Sequence, residues 1–182
     1  PEFGANGKEA ITLRDVLSHR AGLPVIEGDF TLAQALSWAP VVEALAAQAP
    51  LWTPGSAHGY HVRSYGWLAG EVLRRVDGRT AGRFFADEIA RPLGLDFWIG
   101  LPAEIEPRVA RIEPPEPPAD PRVRELLEQV MGPGTTSGRA LSGPSGLFPY
   151  DETWNLREVR AAELPSSNGV ATARALSRMY AA

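Results

Sequence analysis

The feature that most restricts the fold of this chain is its punctuation. Stretches with helical periodicity are short, and each is fenced by capping side chains, glycine or proline. Thr12 with Asp15 reads as a capping box for LRDVLSHRA, whose apolar stripe is Leu13, Val16 and Leu17, and Gly22 and Pro24 stop it. Thr31 with Gln34 caps a second short helix, and Pro40 fits the first turn of a third, VVEALAAQ. From Ser64 to Asp77 the residues Tyr65, Leu68, Ala69, Val72, Leu73 and Val76 recur at helical spacing, with Gly78 after the end. Thr80 opens AGRFFADEIA, which the Arg91-Pro92 pair closes. A chain cut this way predicts short helices packed on one another, and a mainly α fold.

The middle of the chain reads differently. DFWIGL (96–101) and RVARI (108–112) predict two short strands, and EPPEPPADP (113–121) predicts an extended connector. RVRELLEQVM (122–131) is helical by period, whereas GPGTTSGRALSGPSG (132–146) reads as loop because Gly, Ser and Pro dominate it. A helix around 151–162 and a last one from about Val170, capped by Ser167 or Asn168, complete the chain.

Length and charge narrow the function classes. The 182 residues suit one domain, 1–182, and 44% hydrophobic residues supply a core. A net charge of −4 and a pI near 5.4 exclude the basic face a nucleic-acid binder shows. No apolar run reaches the roughly 18 residues of a membrane span. Without cysteine there is no disulfide, thiolate nucleophile or Cys-based zinc site. A chain that opens on Pro1, without Met or signal peptide, is expected to lack its true N-terminus; the compartment stays open, with the cytoplasm favoured.

Most of the familiar catalytic signatures fail here. His58-x-x-His61 offers two imidazoles with no clear third ligand, on a turn rather than the helix that HExxH needs, so these read as polar turn residues and no metal is expected. Neither Ser56 nor Ser145 has the glycines of G-x-S-x-G, and no GK[ST] follows the glycines at 132, 134 and 138. His19, at the end of an apolar stripe and before a helix stop, reads as a structural hydrogen-bonding residue. The stretch TPGSAHGYHVRSYGWLAGEVLRRVDG (53–78) is the exception, because it sets an aromatic hydroxyl, Tyr60, at the mouth of a helix.

Pro54-Gly55, Tyr60 six residues after the proline and Gly66 six after the tyrosine resemble the second active-site motif of class C β-lactamase-like serine hydrolases. LRDVLSHRAGLP (13–24), GWLAGEVLRRVDGRTAGRFFADEIARPLGLDFWIGLP (66–102) and LPSSNGVATARALSRMYAA (164–182) are similar to the esterase-like members called family VIII carboxylesterases. The resemblance covers roughly residues 1–102 and 163–182. It implies the helical lobe of the β-lactamase/penicillin-binding-protein-like fold, here expected with a short β-hairpin and long loops. It also implies a Ser-x-x-Lys nucleophile, an acyl-enzyme, no cofactor and a small-molecule ester substrate, with Tyr60 the catalytic residue this chain holds. A tyrosine suits the task because a nearby ammonium favours its phenolate, which can then take the serine's proton.

Two departures from the family pattern matter. The residue two after the tyrosine, typically Asn in β-lactamases, is Val62, which offers no hydrogen bond and turns the expectation from β-lactams toward esters. Ser-x-x-Lys needs a lysine, and among 18 basic residues only Lys8 is one, with Ala5 three places before it. The chain is therefore expected to be the helical lobe of a larger serine hydrolase, inactive alone. Its partner would be the missing α/β half, and its uncovered apolar surface would promote self-association. Val62, His61, Arg139 and Ser142 are expected to line the substrate cleft. The alternatives are a β-lactamase or penicillin-recognising peptidase, or a catalytically dead binding protein of the same fold.

Overall fold

The computed structural model describes residues 2–182. In chain order it holds α1 (Leu13–Leu17), α2 (Leu32–Leu36), α3 (Ala39–Ala47), α4 (Ser64–Asp77) and α5 (Ala81–Phe85), the last running on as a π-turn over Ala86–Ala90. Then come β1 (Phe97–Trp98), α6 (Pro121–Met131), α7 (Thr136–Ser142), α8 (Arg157–Ala161), β2 (Val170–Ala171) and α9 (Ala173–Ala181). Both expected capping boxes form. The Thr12 and Thr31 hydroxyls accept from the amides of Asp15 and Gln34, whose side chains accept from the cap amides in return. Each such cap is worth about 1 kcal/mol, a large share of the stability of a five-residue helix.

Three expectations are corrected. First, 96–101 and 108–112 form no hairpin. Phe97 and Trp98 pair antiparallel with Ala171 and Val170, while Ala103–Arg108 winds into a 3₁₀ helix. Second, 132–146 is not all loop, because the Thr135 hydroxyl accepts from Gly138 N–H and starts α7. Third, the last helix begins at Thr172, which caps it through Ala175 N–H. Asn168 does a different job: its amide donates to the Val159 and Ala162 carbonyls at 2.7 and 2.6 Å, closing the end of α8.

The main core joins Val16 of α1, Val41 and Leu45 of α3, and Trp67 and Leu68 of α4 to Leu23, Phe148, Val159 and Leu164. Each such fully buried aliphatic side chain contributes roughly 1.5–3 kcal/mol. A second cluster gathers Phe85, Ala90, Leu95 and Ala175 beside the small sheet. The 163–168 segment is tied to α4 and α5 at close range. Glu163 accepts from the Thr80 hydroxyl and from Gly82 N–H, both at 2.7 Å, which covers the open end of α5. Gly66 lets the 164–168 turn reach α4, since a Cβ there would lie 2.7 Å from Ser166 N.

Apolar surface is left uncovered in part. Leu13 and Leu17 of α1 and Leu176 of α9 are 50, 51 and 40% exposed, Val170 and Met179 are half-buried, and Val16 is buried. Helix α6 buries none of its residues, and Leu126 and Val130 are among those it exposes.

Candidate active site

The residues around Tyr60 are built onto segment 19–23, which follows α1. Backbone bonds run from Leu51 N to Gly22 O, from Gly55 N to Arg20 O and from Gly59 N to His19 O. These three bonds hold the 51–59 approach flat against the residues that follow α1. Gly59 has to be glycine, because a Cβ would lie 2.6 Å from the Trp52 ring.

His61 locks this layer from below and does not line a cleft, correcting the substrate-binding expectation. It is fully buried. Its Nε2 accepts from Leu23 N–H at 2.9 Å and its Nδ1–H donates to the Gly59 carbonyl at 2.6 Å. The ring is therefore neutral, and burial pushes its pKa down to about 4 against the weaker upward pull of the Gly59 carbonyl. Three residues beyond it, Ser64 donates to the Leu23 carbonyl at 2.6 Å, so α4 starts from the same segment.

With its neighbours fixed, Tyr60 projects outward and is 63% exposed. Its ring meets the His19 ring edge-on at 4.8 Å, and His19 also contacts Tyr65 at 4.9 Å and His58 at 6.0 Å. His19 makes the hydrogen bond its position implied: Nδ1 accepts from His61 N–H at 3.2 Å. Burial lowers its pKa, and the nearby His58 lowers it further. Val62 is half-buried beside this turn. The three imidazoles form no metal cluster among the described residues.

Arg139 and Ser142 lie together on α7, lining a pocket of about 330 Å³ with Val25, Ile26 and Ser145; Tyr60 is not part of that lining. Arg139 pairs with Glu27 at 2.7 Å, and Ser142 donates to Gly138 O at 2.8 Å. Arg63, a residue the motifs did not single out, ties the start of α4 to the end of α7 and to Phe148. Its guanidinium is buried, donates to the Leu141 and Phe148 carbonyls at 2.8 and 3.2 Å, and stacks 4.5 Å from the Trp154 ring. Nothing local in the sequence marks it, since both carbonyls lie far along the chain. Lys8, the sole lysine, is buried under Phe3 and donates to the Gln48 carbonyl, so it serves the fold.

Tyr60 thus stands exposed just before the start of α4. A model of the Beta-lactamase family matches residues 1–182, the whole chain. The chain belongs to the Beta-lactamase family. One relative in this family, "Esterase/beta-lactamase LipL" of Mycobacterium tuberculosis, is 37% identical over 185 residues, covering 100% of this chain and 42% of that protein. Among solved structures, EstA from Arthrobacter nitroguajacolicus Rue61a matches with a TM-score of 0.83 and 38% identity, over 100% of this chain and 46% of its own. A penicillin-binding protein homologue from Caulobacter crescentus matches with a TM-score of 0.76 and 41% identity, over 98% and 44%. A family VIII carboxylesterase gives 0.76 and 34%, over 99% and 45%. This Beta-lactamase family chain thus spans less than half the length of the relatives it matches, and its fold is their helical portion.

Proposed function

We propose that this chain carries the tyrosine motif of a serine hydrolase that cleaves carboxylic esters through an acyl-serine intermediate. The exposed Tyr60 phenol, on a turn locked by His19 and His61, supports the reading. In it, Tyr60 takes the proton of a serine supplied from outside residues 1–182 as that oxygen attacks the ester carbonyl. The same proton then passes to the departing alkoxide, and water releases the acid. Lys8 cannot supply the nucleophile's ammonium partner, because its amine is turned into the fold. Val62, Arg139 and Ser142 are assigned to the substrate's walls.

Relatives named for β-lactams and penicillin binding keep a second reading open, turnover of a β-lactam amide. Side-by-side hydrolysis of p-nitrophenyl butyrate and a chromogenic cephalosporin by the full-length protein tests the choice. The ester should turn over at least tenfold faster by kcat/KM, and a preference for the cephalosporin contradicts the reading. The 182-residue chain alone should hydrolyse neither above background, since no Ser-x-x-Lys lies within it.

Val62 sets the second expectation. Val62→Asn restores a side chain that hydrogen-bonds an amide, so it should raise β-lactam turnover by roughly 3–10-fold while leaving ester turnover nearly unchanged. Equal gains for both substrates would remove Val62 from specificity.

A further inference from the structure

We propose that His19 is a positioning residue for Tyr60, clamping the tyrosine's peptide unit from both sides through one carbonyl and one ring nitrogen. The inference rests on the reading of Tyr60 as the catalytic group. The His19 carbonyl accepts from Gly59 N–H at 3.1 Å, and its Nδ1 accepts from His61 N–H at 3.2 Å. These two bonds straddle Tyr60, and the same side chain sets its ring edge against the phenol at 4.8 Å. A hydroxyl that must meet an oxygen outside the chain needs this kind of support, because misplacement by an ångström can cost about a hundredfold in rate.

The backbone shows what the clamp requires. His19 sits at φ 58°, in the left-handed region that is uncommon outside glycine and in which asparagine, aspartate and histidine are the enriched exceptions. In that conformation the carbonyl faces 59 while the ring turns back to 61, so one residue serves both neighbours of the tyrosine. Nδ1 can accept only when it carries no proton, which places the imidazole hydrogen on Nε2. Desolvation of the ring favours that neutral form.

Two substitutions separate the clamp from mere packing. His19→Gly keeps the left-handed backbone and removes the acceptor. His19→Asn keeps both, since asparagine tolerates this φ and offers an oxygen one bond beyond Cγ, as Nδ1 is. In the full-length protein, His19→Gly should lower kcat for p-nitrophenyl butyrate by roughly 10–100-fold with KM within about threefold. His19→Asn should recover most of that loss. Because His19 acts through Tyr60, the loss should vanish in a Tyr60→Phe background. Hydrogen exchange of the His61 amide should accelerate in the Gly variant and stay slow in the Asn variant.

Unchanged kcat in His19→Gly, an equal loss in the Tyr60→Phe background, or an Asn variant as poor as Gly would each overturn the proposal. An unfolded Gly variant beside a folded Asn variant assigns the clamp to stability and overturns the positioning role. If Tyr60→Phe itself proves harmless, the reading of Tyr60 fails separately. The clamp then falls if His61 exchange is the same in His19→Gly as in the parent, and its geometry stands if that exchange accelerates.

Discussion

Tyr60→Phe in the full-length protein is expected to lower kcat for ester hydrolysis by roughly 10²–10⁴, the usual worth of a positioned acid–base group. The KM should change little and the fold not at all. The reason lies in how the turn is built. The hydrogen bonds that hold it run through Gly59 and His61, and the phenol stands 63% exposed above them. Phenylalanine keeps the ring contact with His19 and loses only the oxygen. Steady-state kinetics with p-nitrophenyl butyrate, beside matched circular dichroism and melting curves, reads both parts. A variant with near-parental rate would reduce Tyr60 to a packing residue.

The largest stability effect belongs to His61. His61→Ala should cost roughly 3–5 kcal/mol, measured by denaturant unfolding, since it strands the buried Leu23 N–H at about 1–3 kcal/mol, frees the part-buried Gly59 carbonyl and leaves a cavity. The same residue sets an acid response. Its folded pKa of about 4 lies below the ordinary 6.5, so the unfolded chain binds a proton that the fold refuses. The stabilisation of the neutral ring is fully present above pH 6.5 and is lost as pH falls toward 4. The slope is about 1.4 kcal/mol per pH unit and the total roughly 3 kcal/mol. In a folded variant such as His61→Gln this part of the slope should disappear. An unchanged pH dependence would show that other groups carry it.

What could be read from the sequence is what forms within a few residues. Thr12 reaches Asp15 and Thr31 reaches Gln34 inside one turn, so both caps are visible in the text. Gly78 was legible for the same reason, standing in the left-handed region just past α4. The strand pairing was not legible. Two-residue strands carry no alternation to read, and Phe97 finds its partner Ala171 only after α6, α7 and α8 have intervened. Helix α7 was hidden by composition, since its Gly and Ser content reads as loop while the single Thr135 cap decides the matter. At the site, the tyrosine motif was legible because its proline, glycine and tyrosine lie close together. The buried state of His61 was not, because the residues that cover it, 19–23, are some forty positions earlier. Asn before an apolar run reads the same whether it caps forward or, as Asn168 does, closes the helix behind it, so the choice between Ser167 and Asn168 as the expected cap of the last helix could not be made locally.

In the proposed reaction Tyr60 serves a serine nucleophile outside residues 1–182. Labelling the full-length protein with a serine-directed fluorophosphonate, followed by peptide mapping, tests it most directly. One modified serine outside these residues and markedly slower labelling in Tyr60→Phe are expected. An adduct on a serine of this chain, such as Ser56 or Ser145, or no adduct anywhere, would contradict it.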